Sequence, residues 1–145
     1  MELLDIKTGE RTIEIVHPRS KQNVGLRINL VALEDERMTK AKRAIQDRAN
    51  REAARGREMK QEDIEENSND LIYRALNGWE WYNPTGKEGD KDYDSDAAPS
   101  LNGDKEPEFT RKNVLEMLRT PRLWWIRKQI ADAMSDTETF FDAPK

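Results

Sequence analysis

The sequence predicts an α+β chain, mainly α, built as an N-terminal β-hairpin followed by about four helices, with a long acidic loop before the last two. Three observations carry that expectation. Apolar residues alternate with period two through residues 12–31, helical spacing takes over near residue 34, and residues 83–108 are dense in Gly, Pro, Asp and Ser with no periodicity. The 145 residues suit a single domain.

The hairpin comes first. Ile13 and Ile15 alternate with polar neighbours, as do Val24, Leu26, Ile28 and Leu30, so each set falls on one face of a strand. The turn formers of residues 18–23 lie between them. A lone hairpin is marginal in water, so its apolar face needs a helix or another chain against it.

Residues 34–77 read as helical. Met38, Ala41, Ile45, Ala49 and Ala53 follow one stripe, narrow and largely alanine, and Gly56 marks a break. A second helix from about Gln61 carries Ile64, Ser68, Leu71, Ile72 and Ala75 on one side, with acids in its first turns where the macrodipole favours them. Gly78 stands where a C-terminal cap is expected, and Trp79 extends the apolar stripe. Residues 83–108 read as a flexible acidic loop, dispensable for folding through residue 106. In the C-terminal helices, residues 110–135, Thr110 is an N-cap for a helix holding Val114, Leu115 and Leu118. Thr120 and Pro121 repeat the signal as cap and first helical position for a last helix with Leu123, Ile126, Ile130, Ala133 and Met134. Residues 136–145 form a tail containing Phe140 and Phe141.

Composition narrows the chemistry. The apolar fraction is 35% and the charged fraction 37%, with a mean hydropathy of -1.01, so only a lean core is available and a partner is expected to complete it. The chain has no cysteine, which removes thiolate nucleophiles and zinc-thiolate sites and fits a reducing compartment. Residues 1–9 have no signal-peptide pattern, and no apolar run is long enough for a membrane span, so a cytoplasmic protein with no membrane partner is expected.

Catalysis, cofactors and metals are not expected. His17, the only histidine, has no serine or cysteine placed beside it to act on. Asp90, Asp92, Asp94 and Asp96 suggest a calcium loop, but Ser95 and Leu101 occupy the positions where Gly and Glu would be diagnostic. Residues 40–60 hold eight Lys or Arg against three acids, a basic stretch set against a pI of about 5.2, so nucleic acid is not the expected partner.

The aromatic residues are the candidates for contact with a partner. On a helical wheel Trp125 falls about 200° from Leu123. If Leu123, Ile126 and Ile130 face the core, Trp125 faces away from it, and tryptophan is enriched at binding hot spots. The expected partner-binding residues are therefore Trp125 with Phe140 and Phe141, joined by Trp81 and Trp124.

The order of these pieces is similar to a known family. A hairpin comes first, then a charged helix ending in Leu-Asn-Gly-Trp-Glu, then Phe-Thr-Arg-Lys-Asn-Val-Leu-Glu-Met-Leu and a Pro-started helix. This resembles the tail assembly chaperones of bacteriophages with long, non-contractile tails. The matching positions are Gly78, Trp79, Phe109, Thr110, Asn113, Leu115, Leu118 and Pro121. The resemblance implies a non-catalytic protein of the host cytoplasm that binds the helical tape-measure protein before the tail tube polymerises around it. It also implies contact with the major tail tube protein, through the longer frameshifted product that such families often make. Homo-oligomers are compatible with it. A structural virion protein (a minor tail or connector component) and a small nucleic-acid-binding regulator are the competing expectations.

Overall fold

The computed structural model describes residue 2 and residues 9–32, 35–57, 60–86 and 97–136, except for the side chain of residue 37. The hairpin forms as expected. Strand β1, Glu10–Val16, pairs antiparallel with β2, Asn23–Val31, and opposes Ile13 to Ile28. The turn is closed by His17 N–H to the Gln22 carbonyl, 2.8 Å, and Lys21 N–H to the His17 carbonyl, 3.0 Å.

The helical region splits at Gly56, whose φ of +70° suits a residue without a Cβ. Helix α1 spans Glu36–Ala54 and α2 spans Gln61–Ala75, and the two pack against each other as a two-helix arm. Met38 and Ala41 are buried at the base of α1, whereas both helices are largely exposed where they approach their connection.

The second helix does not run on through Gly78. It ends at Ala75, and Leu76 is already extended, with φ -86° and ψ 134°. Leu76–Trp81 forms a third strand, β3, with no loop between helix and strand. This strand pairs antiparallel with the free edge of β2, giving a three-stranded sheet in the order β1-β2-β3. The alternation Trp79-Glu80-Trp81 suits a half-buried strand, and an available edge with bulky partners outweighs a helical stripe extended by one more residue. Gly78 is thus a strand residue opposite Asn29 and not a helix cap, and Trp79 reaches the core from a strand.

The sheet has one dry face and one wet face. Trp79 lies opposite Ile28 and Trp81 opposite Leu26, and residues directly opposed in an antiparallel pair share a face. The other face carries Glu14, Arg27 and Glu80 abreast across the three strands. Arg27 bridges both carboxylates, at 2.7 Å to Glu14 and 2.9 Å to Glu80, and its guanidinium lies 4.5 Å from the centre of the Tyr82 ring. The hydrogen bonds to Glu14 and Glu80 raise its pKa further.

The dry face is covered by α3, Arg111–Arg119, and α4, Trp124–Ser135, which contribute Val114, Leu115, Met117, Ile126 and Ile130 to the core. Thr110 caps α3 as expected, its hydroxyl accepting from Asn113 N–H at 3.2 Å. Thr120 does not cap the last helix. Its hydroxyl donates to the Glu116 carbonyl at 2.7 Å, and Pro121–Leu123 form a single 3-10 turn before α4 begins. Gln129 of α4 clamps the edge strand, donating to the Val16 carbonyl at 2.8 Å and accepting from Val16 N–H at 2.9 Å. That amide satisfies backbone groups of an edge strand where the β1–β2 register shifts.

The region 83–108 is not uniformly a loop without packing. Its residues 87–96, with the aspartate run, lie outside the described residues. After them the chain is built into the molecule. Leu101 is buried in the core cluster and bridges to Asp104, Pro107 is buried, and Asn102 donates to Glu116 of α3 at 2.6 Å. One apolar residue in an acidic stretch has no periodicity to signal it, so the sequence hides this anchor. No helix among the described residues is long and apolar enough to cross a membrane.

Leu101 therefore sets a test of the packed segment. Leu101→Ala is expected to lower the unfolding free energy by about 2–3 kcal/mol, measured by chemical denaturation. An unchanged midpoint would return the segment to the status of a dispensable loop.

Candidate functional site

Four of the motif residues that suggested a family meet in pairs as scaffold, Trp79 with Phe109 and Thr110 with Asn113. Trp79 Nε1–H donates to the Pro107 carbonyl at 2.9 Å, and the ring meets Phe109 edge-on with centroids 5.5 Å apart. Phe109 also stacks with Tyr73 of α2 at 6.3 Å. Asn113, besides receiving the Thr110 cap, donates its side-chain amide to the Glu108 carbonyl at 2.9 Å. The spacing Phe-Thr-x-x-Asn thus seats an aromatic on the sheet and starts a helix in the same few residues. Trp81 belongs to this layer too. It is half-buried, packed edge-on to Trp79 at 5.4 Å, and is not an open contact residue.

Of the two C-terminal tryptophans expected to contact a partner, Trp124 is open and Trp125 is not. Trp125 is half-buried against the core, 6.2 Å from the His17 ring, and its indole N–H donates to the Arg122 carbonyl at 3.1 Å. Trp124 is the exposed one, at 59%. The reference residue explains the difference. Leu123 sits in the 3-10 turn and does not share the register of α4. Measured from buried Ile126, Trp124 lies about 200° away and Trp125 about 100°. Trp124 therefore points out and Trp125 lies on the flank, over the hairpin turn. His17 helps to hold that turn, its Nδ1 accepting from the backbone N–H groups of Arg19 and Ser20 at 3.1 and 3.2 Å. Phe140 and Phe141 lie outside the described residues.

Trp124 forms one side of a groove of about 500 Å³ between α2, α3 and α4. Buried Leu118 and Asn69 are part of its lining, Pro121 and Trp124 contribute apolar surface, and Glu62 and Glu65 supply carboxylates from α2. Ion pairs fix the groove's walls. Arg119 meets Glu66 with both ends of its fork, at 2.7 and 2.6 Å. Arg127 reaches across from α4 to Asn69 at 2.8 Å and Ser68 at 2.6 Å. Asp70 binds Arg111 of α3 and Arg74 of its own helix.

Titration follows these contacts. The hydrogen bonds from Arg119 hold the Glu66 carboxyl below its ordinary value. At Asp70 burial pushes the carboxyl upward, but hydrogen bonds from Arg111 and Arg74 outweigh it and the net shift is downward. Both acids stay ionised to lower pH than free carboxylates and brace α2 against α3.

Chemically the groove offers an indole face, a few apolar side chains and a carboxylate wall. Its ionisable lining is the carboxylates of Glu62, Glu65 and Glu66 with the guanidinium groups of Arg119 and Arg127. Among the described residues no group of three or more His, Cys, Asp or Glu is arranged to hold a metal. The arrangement suits contact with a helical or extended polypeptide. No protein-family model, curated protein or solved structure matches the chain.

The two tryptophans separate in a stability experiment. Trp124→Ala is expected to change the unfolding free energy by no more than about 0.5 kcal/mol, as for exposed positions away from the core. Trp125→Ala is expected to cost roughly 1–3 kcal/mol, less than the loss for a fully buried aromatic. Denaturant midpoints that rank them the other way would reverse the assignment.

Proposed function

We propose that this chain is a non-catalytic tail assembly chaperone of a long-tailed bacteriophage, whose client is the helical tape-measure protein. The reading rests on the order of motifs in the sequence, and one structural observation carries it to a surface: the exposed indole of Trp124 beside a groove braced by ion pairs. An amphipathic helix lays its apolar face into such a groove and anchors on a rigid aromatic. The long helices of a tape-measure protein, before a tube surrounds them, present apolar stripes that need cover. The polar sheet face, with Glu14, Arg27 and Glu80, keeps the complex in solution. Host cytoplasm during particle assembly is the compartment this role requires.

Co-expression with a tape-measure protein tests the proposal. The wild-type chain is expected to keep the client soluble and to co-purify with it. Trp124→Ala should weaken binding by roughly 30-fold while leaving the fold intact, as for a hot-spot residue. Failure of the wild type to bind would contradict the chaperone role. Mass spectrometry of finished particles is expected to find the chain missing, and its presence at structural stoichiometry would make it a virion component.

A further inference from the structure

The two-helix arm carries charges that form no ion pair among the described residues. Lys40, Arg43, Arg48 and Arg51 are exposed along α1, with Asp47 the acid among them, and Arg55 is exposed just beyond its end; none of these cations enters an ion pair among the described residues. At the start of α2, Glu62, Asp63 and Glu65 are exposed and likewise outside every ion pair among the described residues. The contrast with the rest of α2 is sharp. Glu66 and Asp70, farther along, are taken up by Arg119, Arg111 and Arg74. Although α1 and α2 pack together, these charges of opposite sign form no ion pair with one another among the described residues.

Apolar surface accompanies the charge. Ile64, which follows Asp63 in the sequence, is 48% exposed, one of two large hydrophobic residues left open among the described residues. Ala44, Ala53 and Ala54 are exposed on α1, and alanine lets a neighbouring helix approach closely. A charge pattern that is complementary between two helices, with an uncovered isoleucine in one, describes the two halves of an interface.

We propose that the arm's occupant is the arm of a second copy of this chain, packed so that the basic α1 of each copy lies along the acidic start of α2 of the other and competes with a client for Glu62 and Glu65, which also line the groove. The contact is reciprocal, so every favourable pairing occurs twice and the assembly closes as a symmetric dimer. Because the pairing rests on exposed charges, it strengthens at low ionic strength and weakens as salt screens it.

Charge exchange tests the proposal on the intact chain by sedimentation velocity. The wild type is expected to dimerise at low salt and to dissociate as salt rises. One variant carries Arg48→Glu and Arg51→Glu, and a second carries Glu62→Lys and Glu65→Lys. Each alone juxtaposes like charges with itself and should lose self-association by at least about tenfold. Mixed together, the two should restore a dimer, since the acidified α1 of one now meets the basic α2 of the other. Circular dichroism checks that both variants keep their helices, and restoration on mixing itself requires folded arms. A wild type that stays monomeric at low salt would overturn the proposal. So would variants that still self-associate, or a mixture that stays monomeric. Salt-sensitive retention on duplex DNA that is lost with the α1 reversal, in the absence of any dimer, would give the basic face to nucleic acid instead.

Discussion

The pairing of β2 with β3 is the constraint on which the rest of the architecture depends. Helix α2 passes into β3 without a loop, so the strand that completes the sheet also fixes where the arm leaves the body. Leu76 is the pivot. It is buried, it caps the helix through its N–H to the Tyr73 carbonyl, and it sits opposite Leu30 of β2. At the other end of the pair, Gly25 has a φ of +94°, and a Cβ there would collide with the Tyr82 carbonyl oxygen. The same glycine accepts a hydrogen bond from Tyr82 N–H at 2.8 Å, so only a residue without a side chain lets the strands close.

From that pairing the site follows in steps. With α2 held, Glu66, Asn69 and Asp70 face α3 and α4 and take up Arg119, Arg127 and Arg111. These are partly exposed pairs, each of modest worth alone. Their effect is positional: they keep three helices at the spacing that leaves the groove open beside Trp124. The core, 19 clustered buried residues among the described residues, is lean for a chain of this charge.

Legibility in the sequence tracked how local the deciding interaction was. The hairpin was legible because period two, turn residues and short separation all agree, and the Thr110 cap because its partner is three residues away. The third strand was hidden because its pairing partner lies about fifty residues earlier and its first residues continue a helical pattern. Leu101 was hidden because a single apolar residue among acids forms no period, and its burial is decided by a core cluster drawn from distant parts of the chain. At the C-terminal tryptophans the residue type was informative and the facing was not. A 3-10 turn of three residues shifts the wheel, and that shift exchanges which indole is open.

The four tryptophans make the central claim directly observable. Each carries one indole N–H, and in a nitrogen-15 labelled sample each gives its own signal. Trp79 and Trp125 donate to backbone carbonyls within the fold, Trp81 lies in the half-buried layer of the sheet, and Trp124 stands in solvent. Titrating a tape-measure helix into the labelled chain is expected to shift the Trp124 indole signal first and most, with Trp79 and Trp81 little changed. A client that moves the sheet tryptophans and leaves Trp124 where it was would contradict the account.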